Sequence, residues 1–208
     1  MNLNTFMKCV LETKALDTGQ NKEALCELLT NNVNLITMRE WIENLQTASG
    51  DSEIANLASL MEVHPLGFEK YVLWDSISDG SRARLHYWPE NKWPFESIHD
   101  HRFNFCAIVI KGHYTHEEYK VVEKENNRVD IELVKTSIIR AGEAYYFDAG
   151  TFHRVIPSEE ETLSFLVRSN SKLPFSRVIN PETLEMRKAF GAIHKFKNKL
   201  KNIEGILV

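Results

Sequence analysis

Apolar residues recur at helical spacing through the first part of the chain and at strand spacing through most of the rest. Phe6, Val10 and Leu11, then Ala24, Leu25, Leu28 and Leu29, then Trp41, Ile42 and Leu45 fall on helical faces, which predicts helices between residues 4 and 64. Thr37 and Asp51 occupy N-cap positions, Gly50 supplies a helix stop, and Pro65 with Gly67 ends the helical part. His64 and His194 fall on predicted helices and read as structural.

From Phe68 the pattern changes to short runs rich in β-branched and aromatic residues. FEKYVLW, SRARLHYW, FNFCAIVIKG, YTHEEYKVV, VDIELVKTSII, EAYYFD and ETLSFLVRS are separated by turn signals such as Asp79-Gly80 and Asn126-Asn127. Seven or eight short strands at this spacing predict a mainly β fold, a sandwich or jelly-roll barrel. The tail after Asn180, PETLEMRKAFGAIHKFKNKLKNI, has an apolar stripe opposite its lysines and predicts one closing helix. The organisation expected is an N-terminal helical subdomain over 1–66, a β-barrel over 67–172 and a C-terminal extension with its helix over 173–208.

Composition narrows the partners. The 208 residues include 25 basic and 29 acidic ones, a formal net charge of −4 without long blocks of one sign, so no electrostatic footprint for nucleic acid is present. No run of 18 apolar residues occurs, and the start of the chain lacks a signal-peptide pattern, so no membrane partner is expected. Cys9, Cys26 and Cys106 are odd in number and form no C-x-x-C pair, which reads as reduced thiols in a cytoplasmic protein. A small-molecule partner is the expectation.

Chemistry concentrates in two segments. His99 and His101 in SIHDHRF are one residue apart, so on an extended strand both imidazoles project from one face, close enough to grip one ion. In GEAYYFDAGTFHRV, Gly142 opens a strand, Gly150 marks a tight turn and His153 follows on the next strand. Together the two segments resemble the motifs of the cupin superfamily, whose fold is a double-stranded β-helix and whose metal site takes two histidines from the first motif and a third from the second. Asp148 stands where many cupins have Pro. Within the superfamily the chain looks most like the cysteine dioxygenase branch, a three-histidine iron type whose site begins with I-H-D-H and ends with H-R-V, as Ile98 to His101 and His153 to Val155 do here.

The resemblance covers roughly residues 68 to 170 and implies a metal shell of His99, His101 and His153 holding iron(II), Fe(2+), with zinc, Zn(2+), as the alternative. Three neutral imidazoles leave such an ion close to its full charge, with positions open to a chelating substrate and O₂. The implied function is a mononuclear non-haem iron oxygenase, dioxygenase-like, acting on a small, metal-chelating and anionic substrate. The alternative is a metal-binding cupin without redox chemistry: a zinc isomerase or lyase, or a ligand-binding protein. A homodimer is the family-based expectation.

The family's other site residues transfer unevenly. Cys106 lies at the offset of the cysteine that the branch carries after its second histidine, but counting back from Gly112 makes Phe105 the equivalent, and strand alternation puts Phe105 on the histidine face. Tyr71 is retained. The family's carboxylate-binding Arg aligns with Leu73, and the positions of its supporting His and catalytic Tyr hold Arg168 and Asn170. Arg168 is therefore expected to anchor an acidic substrate, pointing into the barrel only if the interior is polar at the metal level. Arg82, Arg84, His86 and Trp88 share one face of their strand and are candidates for lining the same mouth. His113, His116, Glu117, Glu118 and Glu159 to Glu161 read as solvated.

Overall fold

The computed structural model describes residues 1–48, 50–63, 68–89 and 97–204. The helical part contains α1 (Leu3–Glu12), α2 (Ala15–Thr18), α3 (Lys22–Asn32), α4 (Leu35–Ala48) and α5 (Asp51–Ser59). The strands are β1 (Glu62–Val63), β2 (Glu69–Asp75), β3 (Arg82–Trp88), β4 (Ile98–His99), β5 (Phe105–Lys111), β6 (His113–Glu123), β7 (Val129–Arg140), β8 (Ala144–Phe147), β9 (Phe152–Pro157), β10 (Thr162–Arg168), β11 (Phe175–Ile179) and β12 (Met186–Phe190). Helix α6 (Ala192–Glu204) follows. His64, Pro65 and Gly67 lie outside the described residues, as does the side chain of His194.

Among the described residues, twelve strands form two antiparallel six-stranded sheets, in the orders β1-β2-β3-β10-β5-β8 and β12-β11-β4-β9-β6-β7. This is a mainly β jelly-roll barrel with helices before and after it, the fold class expected from the strand spacing. No helix among the described residues is long and apolar enough to cross a membrane.

The first sheet is buried on both faces, and its two faces differ in chemistry. Leu73, Ala83, Leu85, Cys106, Ile108, Phe165 and Val167 point outward into a core shared with Phe6, Val10, Leu25, Leu29 and Trp41 of the helices. Phe6, Trp41 and Phe165 meet there with ring centroids 5.1 to 6.0 Å apart, and burying a side chain of that size is worth roughly 1.5–3 kcal/mol. The other face carries Arg82, Arg84, His86, Phe105, Ala107, Ser164, Leu166 and Arg168 into the barrel, as the register of β3, β10 and β5 requires. The apolar side of β10 therefore serves the helices, and its polar side serves the interior.

Three local expectations are corrected. Asn34, not Thr37, caps α4, its side chain accepting from the backbone of Ile36 and Thr37 at 3.0 Å each. Gly50 is the N-cap of α5 and Asp51 its first residue. The tail is not one helix: Met186 to Phe190 pair with Phe175 to Ile179, so only the part from Ala192 is helical. The segment MRKAF fits a strand because Met186 is buried against Ile98 and Ile179, its neighbours across β11 and β4 of the same sheet.

Glycine is required at the β5–β6 turn. Gly112 has φ 72°, and an added Cβ would lie 2.5 Å from Thr162 Oγ1 and 2.7 Å from the Glu161 carbonyl. This turn fixes where β6 starts, and so which of its residues face inward.

Candidate metal centre

His99 lies on β4 directly opposite His153 on β9, and His101 follows just beyond the end of β4. The potential ligand nitrogens of these three residues all lie within 4.8 Å of one another. The ring centroids are 4.6 Å apart for His99 and His153, 4.9 Å for His99 and His101, and 5.0 Å for His101 and His153. No carboxylate shares the cluster among the described residues.

Two hydrogen-bonded ties hold the H-x-H loop and the residues just after it against the turn before His153. Gly150 donates its N–H to the His101 carbonyl at 3.0 Å. Asn104 accepts from the Ala149 N–H at 2.8 Å and donates to the Leu16 carbonyl at 2.9 Å, so one side chain joins loop, turn and helix α2. Asp100, between the two histidines, necessarily points the other way. It is 1% exposed and takes the Arg177 backbone N–H at 2.5 Å and its guanidinium at 2.6 Å. Arg177 in turn stacks over Phe152 at 4.4 Å and reaches Glu123 at 3.1 Å.

The imidazoles are prepared as neutral ligands. Burial is the main force lowering the pKa of His99, His101 and His153. Neighbouring histidines add to this for His101 and His153, and Arg84, His86 and Lys70 add further for His101. His99 Nδ1 lies 3.0 Å from the Ser97 carbonyl, which makes Nδ1 the protonated nitrogen and turns the Nε2 lone pair inward. His153 Nδ1 lies 2.6 Å from His116 Nε2, while His153 Nε2 is buried with no hydrogen-bond partner. A buried acceptor left open beside two other imidazoles suits a divalent ion.

His116 was expected in solvent and is instead 3% exposed, its pKa pushed down to about 3 chiefly by burial. The available signal was its parity with Tyr114 on β6, which is also buried. Glu117 was also expected to be solvated, but it holds Arg154 Nε at 2.8 Å. Aromatic rings wall the cluster: Phe105 lies 5.0 Å from His101 and Phe147 5.2 Å from His153, and Phe103 stacks on His101 at 5.1 Å.

The remaining candidates separate by face. Phe105 is on the histidine side. Cys106 is turned into the helix–sheet core, its Sγ 3.6 Å from that of Cys26, because neighbouring residues of a strand point to opposite faces. Tyr71 likewise packs on the helical side and hydrogen-bonds Glu69, and Leu73 lies in the same core. Asp148 pairs with Lys22 of α3. The placement of Cys106 agrees with strand alternation, which puts Phe105 on the histidine face, while Tyr71 and Asp148, candidates for the site from the sequence, are engaged elsewhere. Arg82, Arg84, His86 and Arg168 face the barrel interior, but Arg82 is occupied by Asp75.

No protein-family model matches the chain, and no curated protein matches it either. Solved structures resemble it over about half its length. The DMSP lyase DddQ from Ruegeria pomeroyi gives a TM-score of 0.37 at 14% identity over 50% of this chain, which spans only 47% of that lyase. Drosophila melanogaster CENP-C bound to CAL1 gives 0.40 at 13% identity, over 52% and 75% of the two chains. Bacillus subtilis oxalate decarboxylase gives 0.35 at 15% identity, over 57% and 28%. Likeness at this level brings neither family membership nor activity to the chain.

Proposed function

We propose that this protein is a metal-dependent enzyme, a mononuclear non-haem iron oxygenase that acts on a small, metal-chelating substrate at His99, His101 and His153. The observation that carries this reading is the convergence of three neutral imidazoles, one of them presenting the buried, unpartnered Nε2 of His153, without a carboxylate in the cluster among the described residues. Iron(II) held by such a set would supply redox chemistry toward O₂ while keeping positions for a chelating substrate.

The chain's own residues have definable parts in this scheme. His116 holds the ring orientation and tautomer of His153. The Asp100–Arg177 pair fixes the loop that carries both other histidines. Phe103, Phe105 and Phe147 exclude water from the side of the cluster they cover.

The test is metal analysis of protein purified without added metal, followed by oxygen uptake of the anaerobically iron-loaded protein against a panel of chelating acids and thiols. Iron at one equivalent with substrate-dependent oxygen uptake supports the proposal. Stoichiometric zinc, with no uptake by the iron form on any panel member, would favour the non-redox alternative, a zinc isomerase, lyase or binding protein.

A further inference from the structure

We infer that Arg84 and Arg168 form a binding site for a carboxylate or phosphate group inside the barrel, distinct from the metal ligands, which receives the anionic end of the substrate. As a part of catalysis this rests on the metal-centre reading above; as a binding site it stands on its own observations.

The first observation is uncompensated charge. Arg84 lies opposite Leu166 on β10 and Arg168 lies opposite Arg82 on β3, so the two guanidinium-bearing residues are diagonal neighbours on the interior face. Like charges at that spacing oppose folding unless something neutralises them. Arg82 is neutralised by Asp75, and Lys70 by Glu62. Neither Arg84 nor Arg168 has a carboxylate partner among the described residues. A largely desolvated cation with no contacting counter-ion is costly to hold, and a ligand anion reduces the cost.

The second observation is unused hydrogen-bonding capacity. The Nε atoms of Arg84 and Arg168 are both buried with no partner. Arg168 is 7% exposed, and its Nη1 donates to the carbonyls of Ser169 at 2.7 Å and Gly80 at 3.2 Å. Those carbonyls orient the guanidinium without cancelling its charge, and the Nε edge remains unspent. Planar forks with unspent donors match the paired oxygens of a carboxylate or phosphate. Burial first, and then the neighbouring arginines, push the pKa of Arg84 down to about 10 and that of Arg168 to about 9, against the weaker opposing pull of Asp75 on both and of Glu62 on Arg84.

The third observation is position. Phe103 touches both sites: its ring stacks on His101 at 5.1 Å and lies 4.7 Å from the Arg168 guanidinium and 5.7 Å from that of Arg84. The substrate class this geometry selects is bifunctional, with a metal-chelating head and a separate carboxylate or phosphate tail one phenyl ring away.

The experiment uses the full chain stripped of metal with EDTA, titrated with succinate and with inorganic phosphate at constant ionic strength and followed by thermal melting and calorimetry. A saturable rise in Tm is expected with at least one of the two probes. Arg84→Met and Arg168→Met should abolish it, and Arg168→Lys should weaken binding tenfold or more, because Lys keeps the charge and loses the fork. Without anion, Arg84→Met should melt no lower than the parent, since it removes a charge that no carboxylate contacts among the described residues. His99→Ala should bind the probe as the parent does while losing metal, which separates this proposal from the metal-centre reading. No saturable response in the parent, a parental response in either Met variant, or a sharply lower Tm of Arg84→Met without anion would overturn it.

Discussion

His116 Nε2 lies 2.6 Å from His153 Nδ1, so one histidine of β6 holds another on β9 with its second nitrogen aimed at the centre of the cluster. For His153 to ligate through Nε2, its Nδ1 must carry the proton and His116 must accept it. Replacing His116 with Phe should weaken metal binding by about 10–100-fold. Replacing it with Gln, whose amide oxygen can accept the same proton, should recover part of the loss. Competition against a chelator measures both, and a Phe variant with parental affinity would remove His116 from the site.

Alanine at His99, His101 or His153 should cost most of the bound metal, because their nitrogens are the ones that converge. Metal content by mass spectrometry after purification gives the result. Full occupancy in all three variants would place the metal elsewhere.

Acid should weaken both metal binding and the metal-free fold. Burial lowers the pKa of His101 and His153, and that of His116 to about 3, so in the folded protein these imidazoles are neutral. The unfolded chain titrates near ~6.5 and takes up protons there, so stability is level above about pH 7 and falls as the pH drops through ~6.5 toward the folded value. Each such imidazole should contribute a loss of about 1 kcal/mol between about pH 7 and pH 5.5. Urea midpoints of the EDTA-treated protein at the two pH values test the slope, and an acid midpoint equal to the neutral one would contradict it. Metal affinity should decline below about pH 6 as protons compete for the same nitrogens.

Cys106 should carry no thioether link and no metal. Its thiol faces Cys26 in the helix–sheet core, where the Cys26 contact and burial push its pKa up. Intact mass should equal the sequence value under reducing conditions. Cys106→Ala should keep the metal and lose about 1 kcal/mol of stability through the small cavity it leaves. A crosslinked peptide joining Cys106 to a tyrosine would refute this.

Arg177→Ala should be among the most damaging substitutions away from the histidines. It strands the buried Asp100 carboxylate without its guanidinium, a loss of roughly 3–5 kcal/mol, and releases the loop that carries His99 and His101. Asp100→Asn in the same background should restore part of the stability by removing the stranded charge, as urea unfolding of single and double variants would show.

Sequence alone determined the mainly β class, the helices before it, and the grouping of His99 with His101, because each follows from a repeat read along a few residues. Strand alternation likewise assigned Phe105 rather than Cys106 to the histidine face, since the pleat is a local property. What alternation could not decide is which of two faces is the interior when both are buried. On β10 the apolar set Leu163, Phe165 and Val167 resembles a barrel core but packs on the helices, leaving Ser164 and Arg168 inside. The strands β11 and β12 and the burial of His116 escaped for the same reason: Met186 needs Ile98, Arg177 needs Asp100, and His116 needs His153, all partners far along the chain. Periodicity records that a residue has a face, whereas the chemistry of that face is set by whatever long-range pairing brings against it, and only the tertiary structure holds that information.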